Sequence, residues 1–427
     1  MKERQKIKKS LRASFIDGIF VSGMVGLTTD YITPYALALK ATITQIGYLN
    51  SIPNFISSLL QLKSADVTEK LASRKKVINI FVLLHVLMGI PIILVPYLFK
   101  GNSVFYLIVF VTLFNAFNAF TIPAWASLMA DHIPENKRGR YFGWRNKILG
   151  SVVTVFSFLA GFILFLFKKD VLKGFIIIFS LAFICRAISW YFLTRMYEPR
   201  FKVKKDNYFS FLDFIRRIKT SNFAKFVVFV SGLNFCVNIA APFFAVFMLR
   251  DLRLSYLTYT ILITTVSLTG LLTIEGWGRR ADRIGNLRVL RFTSFFIATL
   301  PLWWIINHNP LYLILIQILS GFAWSGFNLC ATNFIFDCVS PSKRIRCIAY
   351  FNVLNGSALC LGAILGGYLV NHLPNIFGFQ ILSLFFLSGI LRLLVVFYFS
   401  GKIREVRQIE TISSRDFFYS VIGLRQT

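Results

Sequence analysis

The residues of this sequence that could do chemistry stand in short polar stripes inside otherwise apolar runs. Asn115, Asn118 and Trp125 are three and seven residues apart, Ser231, Asn234 and Asn238 three and four, and Gln317, Trp324 and Asn328 seven and four. Such spacings put each set on one helix face. Amides and indoles of this kind recognise a molecule; they do not break bonds. In a low-dielectric surrounding an unpaired amide costs several kcal/mol in the limit, so these faces must meet water, a bound solute or each other. Two outcomes stay open: they line a cavity, or they glue helices together at roughly 0.6–2 kcal/mol per bond. Asp30 is the acid of the set, on a stripe with Ser22, Gly26, Thr29 and Thr33. From a helix start near Ala13 it lies about 25 Å along the axis. A carboxyl group at that depth is a functional candidate, able to load and release a proton or to hold a cation. The plainer reading leaves it ionised at a wet helix end near Pro34. Asp17 is expected to do no more than sit in the first turns of the same helix.

The elements that must position these residues follow from composition. The 427 residues are 56% apolar, 16% aromatic and 15% charged, against about 25% charged in an average globular domain. Long apolar stretches recur throughout, and about 20 apolar residues cross a bilayer core. The chain reads as an all-α polytopic membrane protein. Twelve spans are predicted at 13–38, 44–66, 76–98, 103–130, 141–167, 171–196, 223–249, 255–278, 288–306, 310–337, 346–372 and 376–400. The net charge of +29 would suggest nucleic acid in a soluble protein. Here 38 of the 47 Lys and Arg fall on one side of the membrane, seven on the other, and Arg186 and Arg392 lie inside spans. That asymmetry places both termini in the cytosol. No nucleic-acid partner is expected. The N-terminal run lacks the cleavage site of a signal peptide and reads as a retained first helix. Four isolated His and six scattered Cys suggest neither a metal site nor a disulfide framework,. There is no Gly-rich phosphate loop. No cofactor and no catalytic centre are expected.

The sequence repeats itself at an offset of 206 residues. Asp131, Lys137, Arg138, Arg140, Asn146, Gly150 and Ser151 correspond to Asp337, Lys343, Arg344, Arg346, Asn352, Gly356 and Ser357, and Arg186 corresponds to Arg392. Six spans per half make this a parallel repeat. The units are predicted as 1–197, a six-helix bundle; 198–222, a basic amphipathic linker; 223–400, a second six-helix bundle; and 401–427, a cytosolic tail. After span 8, Gly278-Arg-Arg-Ala-Asp282-Arg283-Ile-Gly285 resembles the signature loop of the major facilitator superfamily. A weaker copy, with Glu69, Lys70, Ala72 and Arg74, follows span 2.

The resemblance implies that spans 1, 4, 7 and 10 line a central cavity and that 2, 5, 8 and 11 join the halves. It implies a secondary transporter of a small organic solute, working by alternating access in the bacterial cytoplasmic (inner) membrane as a monomer among lipids, with proton coupling open. The substrate-binding candidates are Asp30, Asn115, Asn118, Trp125, Asn234, Asn238, Trp324 and Asn328. A cytosolic latch would use Asp282, Arg283 and Gly285, more weakly Glu69 and Lys70, with Asp131 and Asp337 holding Arg74, Lys70 or Arg283. With Asp30 as its one fixed charge, the expected cavity leans toward a neutral or cationic solute. Alternatives from other classes are a transporter-like sensor or receptor and a protein that handles lipid or other amphiphiles. The glycines of spans 5 and 11 are expected to pack helices; Arg186 and Arg392 are expected to be structural and His85 to be a packed neutral imidazole.

Overall fold

The computed structural model describes residues 2–133, 135–199, 216, 221–339 and 341–406; at a few of these, 135–140 and 341–346 included, only the backbone is described. Most of the predicted linker and tail therefore lie outside the described residues. The first half contains α1 (Lys2–Thr28), α2 (Ile32–Ala38), α3 (Ile43–Leu62), α4 (Ser64–Lys70), α5 (Arg74–Leu87), α6 (Gly89–Leu98), α7 (Ser103–His132), α8 (Glu135–Leu166) and α9 (Val171–Thr194). The second contains α10 (Asn222–Ala240), α11 (Phe243–Val246) running into a π-helical turn (Phe247–Asp251), then α12 (Tyr256–Ile284), α13 (Asn286–Trp303), α14 (Pro310–Cys338), α15 (Pro341–Leu369) and α16 (Gln380–Ser400).

Among the described residues, ten helical stretches are long and apolar enough to cross a membrane. The two other predicted spans are α3, with Asn50, Asn54 and Gln61, and α13, with Arg288 and Arg291. They take the second and ninth positions. Their polarity fits where they sit. α3 lies between α7 and α15, and α13 between α14 and α16, so less of each surface meets lipid.

Span 2 is interrupted at Lys63, between α3 and α4, and three further predicted spans are broken where prolines explain it. A proline deprives the carbonyl four residues earlier of its helical partner and crowds it. Span 1 turns at residues 29–31, just ahead of Pro34; span 3 breaks at Met88, ahead of Pro91; span 7 breaks at Ala241–Pro242. Several of the freed carbonyls are recapped by side chains from far away in sequence. Tyr259 donates to the oxygen of Asp30 at 2.7 Å, Tyr35 to that of Ile92 at 3.1 Å, and Arg392 to that of Ile297, released by Pro301, at 3.0 Å.

The first helix begins at Lys2, not near Ala13. Hydropathy marks only where charge density falls, whereas Lys, Arg and Gln are themselves good helix formers. This moves Asp17 from a helix start to mid-helix, where it is buried.

Within the first half α1 packs on α8 and α9, and α5 on α7; in the second, α10 packs on α15 and α16. The halves meet along α3 with α15 and α8 with α12, the pairings of spans 2 with 11 and 5 with 8. Close approach depends on glycine. A Cβ on Gly362 would run into the backbone oxygen of Phe235, and one on Gly366 into that of Ile239, which seats α15 on α10. Across the halves, a Cβ on Gly47 would come within 2.9 Å of the Ala363 oxygen. Gly143, by contrast, has open space beside it.

Candidate functional site

Where the halves meet, at the end away from the basic loops, a cavity of about 420 Å³ opens between them. The break in span 1 supplies Thr29, Asp30 and Thr33, and α3 supplies Asn50; the second half supplies Tyr259, Gln317, Trp324 and Arg392, with Phe244 and Trp304 among its apolar wall. Because residues 29–31 have left the helix, the Asp30 side chain is exposed into this space although the segment lies deep in the bundle. Asn50 donates to Thr33 at 3.3 Å, which fixes one edge of the polar patch. Gln317 donates to the Leu262 oxygen at 3.3 Å, holding its amide against α12.

A hydrogen-bonded seal that joins the halves borders the cavity. The Tyr31 hydroxyl donates to the Ser157 oxygen at 2.6 Å and meets the Thr260 hydroxyl at 2.8 Å. Tyr259 reaches the other way, to the Asp30 oxygen, and its ring stands edge-on to that of Tyr31. Further along the same end, Asn371 donates to Thr44 at 3.2 Å. Tyr31 and Tyr259 are both nearly inaccessible, at 0% and 3% of their surface, so these bonds are shielded from competing solvent.

Of the predicted binding residues, Asp30 and Trp324 line this cavity. Asn328, one turn beyond Trp324, is exposed and continues that face toward the basic end. Asn234 donates to Asn355 of α15 at 2.7 Å, which ties span 7 to span 11, while Asn238 donates at 3.1 Å to the Asn234 backbone oxygen within its own helix. Asn118 accepts from Thr121 at 3.2 Å, Asn115 is half-buried, and Trp125 lies under the Arg145 guanidinium at 4.8 Å. None of these last three borders the cavity described.

Arg392, expected from its place inside a peripheral span to be structural, also lines the cavity. It does have structural bonds: Nε donates to Ser388 at 3.0 Å, Nη1 to the Ile297 oxygen at 3.0 Å and Nη2 to the Val237 oxygen at 3.3 Å. Its repeat partner Arg186 has a different setting. Nε donates to Nδ1 of His85 at 3.0 Å and Nη1 to Ser189 at 3.0 Å, while Ser189 donates to Asp17 at 2.6 Å. A guanidinium has no lone pair to offer, so His85 must be the acceptor there and its ring neutral.

The chain matches the Major Facilitator Superfamily over residues 15–248 and again over 226–421. It belongs to the Major Facilitator Superfamily. Members of this superfamily are transmembrane transporters, not enzymes. Similar solved structures include a mutant of the nucleoside transporter NupG, with a TM-score of 0.72, 15% identity, 93% of this chain and 100% of that one covered. A POT family transporter in complex with a thioalcohol-conjugated peptide follows, with a TM-score of 0.69, 13% identity and coverage of 94% and 97%. A bacterial homologue of the iron transporter ferroportin, in an inward-facing state, gives 0.67, 14%, 91% and 98%. No curated protein matches the sequence at a significant level.

The superfamily's signature loops lie at the basic end. Arg74, only 3% accessible, pairs with Asp131 at 2.7 Å and donates to Ser127. Glu198, which no sequence motif marks, accepts from the Arg74 amide at 2.7 Å, from Ser73 at 2.6 Å and from the Arg74 side chain at 3.5 Å. An anion is favoured there by the exposed amides at the start of α5. In the second half Glu405 does the same for α13, accepting from the Leu287 amide at 2.7 Å, and Asp337 accepts from Asn286 at 2.7 Å. Gly285 turns the chain between α12 and α13 at φ 92°, a conformation that suits glycine,. Asp282, Arg283, Glu69 and Lys70 are exposed at the ends of α12 and α4.

Proposed function

We propose that this protein carries a small organic solute across the bacterial cytoplasmic membrane by secondary active transport, its two halves rocking about the shared cavity. The observation that carries this reading is the cavity wall itself. Asp30 and Asn50 come from one half, Gln317, Trp324 and Arg392 from the other, and a tyrosine-based seal closes beside them. A solute gripped there touches both halves, which couples binding to their relative motion. The basic end faces the cytosol by the positive-inside rule, with both termini there and the seal outside,. Asp30, open to the cavity, is the coupling carboxylate, holding either a proton or a cationic group of the solute and exchanging one for the other as the seal parts. One chain supplies the whole lining, so a monomer suffices. The units of this machine are 1–197 and 223–400, joined by 198–222.

The test is flux into proteoliposomes with and without an imposed pH gradient, together with reporter fusions at Thr427 and within 198–222. Uptake that follows the gradient and cytosolic reporters are expected. A solute that binds but never crosses would make the protein a sensor, and lipid transfer without solute flux would make it a lipid handler.

A further inference from the structure

We infer that the cavity is built for a solute carrying both charges, an amine held by Asp30 and a carboxylate or similar anion held by Arg392. This rests on the transport reading above and names the class of its substrate.

Two observations carry it. Arg392 is 3% accessible, lines the cavity, and has no carboxylate within ion-pair distance among the described residues. A guanidinium has five N–H donors in a fixed fork. Three are committed, to Ser388, Ile297 and Val237, which leaves one on each terminal nitrogen. A buried cation without a counter-charge is costly unless something compensates it, and the oxygens that Arg392 does reach are neutral. In the other half the same repeat position has its compensation built in, through Ser189 to Asp17. The position that lacks an internal acid is the one that opens on the cavity.

Asp30 supplies the other pole. Its carboxylate makes no ion pair and no side-chain hydrogen bond among the described residues, yet it faces the same 420 Å³. The two charged groups share a cavity without pairing with each other and belong to different halves. A ligand with one charge satisfies one wall. A ligand with both satisfies both and spans the joint that must close around it. The volume lies at the small end of the roughly 300–1,000 Å³ typical of ligand pockets, the size of an amino acid or a comparable small zwitterion. Gln317, Asn50 and Thr33 add neutral donors and acceptors between the poles, and Trp304, Trp324 and Phe244 form an aromatic wall for an apolar side chain.

The experiment uses the full-length protein in nanodiscs at pH 7. Thermal stabilisation is titrated with the twenty free amino acids and with short ω-amino acids. For each binder the carboxamide, which keeps only the amine charge, and the N-acetyl derivative, which keeps only the carboxylate, are titrated alongside. At least one zwitterion should bind, with both blocked forms weaker by roughly 10- to 100-fold, the worth of one charged hydrogen-bonded contact. In Asp30→Asn the zwitterion should fall to the affinity of its N-acetyl form while that form is unchanged. In Arg392→Lys, which keeps charge but not the fork, the carboxamide should be unchanged and the zwitterion weakened. No zwitterion binding at all, or blocked forms that bind as tightly as the parent, would overturn the inference. So would Asp30→Asn weakening the N-acetyl form as much as the parent, whether or not Arg392→Lys folds. Flux of an uncharged solute with no zwitterion binding would leave the transporter standing and remove only its substrate class.

Discussion

The two halves of this protein carry the same arginine at the same place and use it differently. Arg186 is neutralised within its own bundle by Asp17, through Ser189, and leans on His85. Arg392 is held by two backbone oxygens and a serine, and opens on the cavity. The bridging serine is missing at the matching place: at the offset that relates the two arginines, Ser189 corresponds to Val395. A repeat keeps its frame through common packing, and its halves specialise where a partner is deleted.

The comparison can be broken most severely at Arg186. Arg186→Gln takes from buried Asp17 the cation it meets through Ser189 and leaves it Arg145 alone; at a cost of up to about 3–5 kcal/mol this should sharply lower the unfolding temperature. Asp17→Asn combined with Arg186→Gln should recover part of that loss. Arg392→Gln orphans two carbonyls but no acid, so its stability cost should be smaller, about 1–3 kcal/mol. Equal destabilisation in the two single variants would show that the halves do not differ as described. Asp30→Asn keeps shape and removes titration, so it should leave unfolding temperature nearly unchanged while pH-dependent flux is lost. Full pH dependence in that variant would take coupling away from Asp30. Tyr259→Phe removes one bond of the seal, worth about 0.5–1.5 kcal/mol. A cysteine placed by Thr29→Cys should then be labelled several-fold faster by an impermeant thiol reagent from outside. The smallest effect is expected at Lys147 and Glu275, which pair across the halves at 2.8 Å with more than two-thirds of each side chain exposed. Solvent screens such a pair, so removing either residue should leave both the unfolding temperature and the labelling rate at Thr29→Cys unmoved.

The architecture was legible in the sequence because hydropathy and charge asymmetry act over whole helices, and because Asp131/Asp337 and Arg186/Arg392 repeat in register. Asp30 and Trp324 were legible as cavity residues, since a polar side chain in an apolar helix has few places to go. The amide stripe of span 7 was ambiguous for a physical reason. Asn234 and Asn238 obey the same periodicity whether they face a solute or a neighbouring helix, and it is Asn355, 121 residues away, that engages the first of them. Arg392 could not be read because its cavity depends on where spans 7, 9 and 10 lean, and no local pattern encodes that. Glu198 and Glu405 escaped because capping by a distant carboxylate leaves no spacing signal. The breaks ahead of Pro34 and Pro91 could have been anticipated; continuous hydropathy masked them.

The bond from Tyr259 to the Asp30 oxygen has a consequence for how the protein moves. The oxygen is without a helical partner because of Pro34, and its donor sits on the opposite half. Once the halves part, only water can replace that hydroxyl, since an unmet carbonyl at this depth is costly. Parting the halves is therefore also an act of hydration. The crevice cannot widen ahead of the water molecule that fills it, and the opening rate should slow as osmotic stress makes that water scarcer.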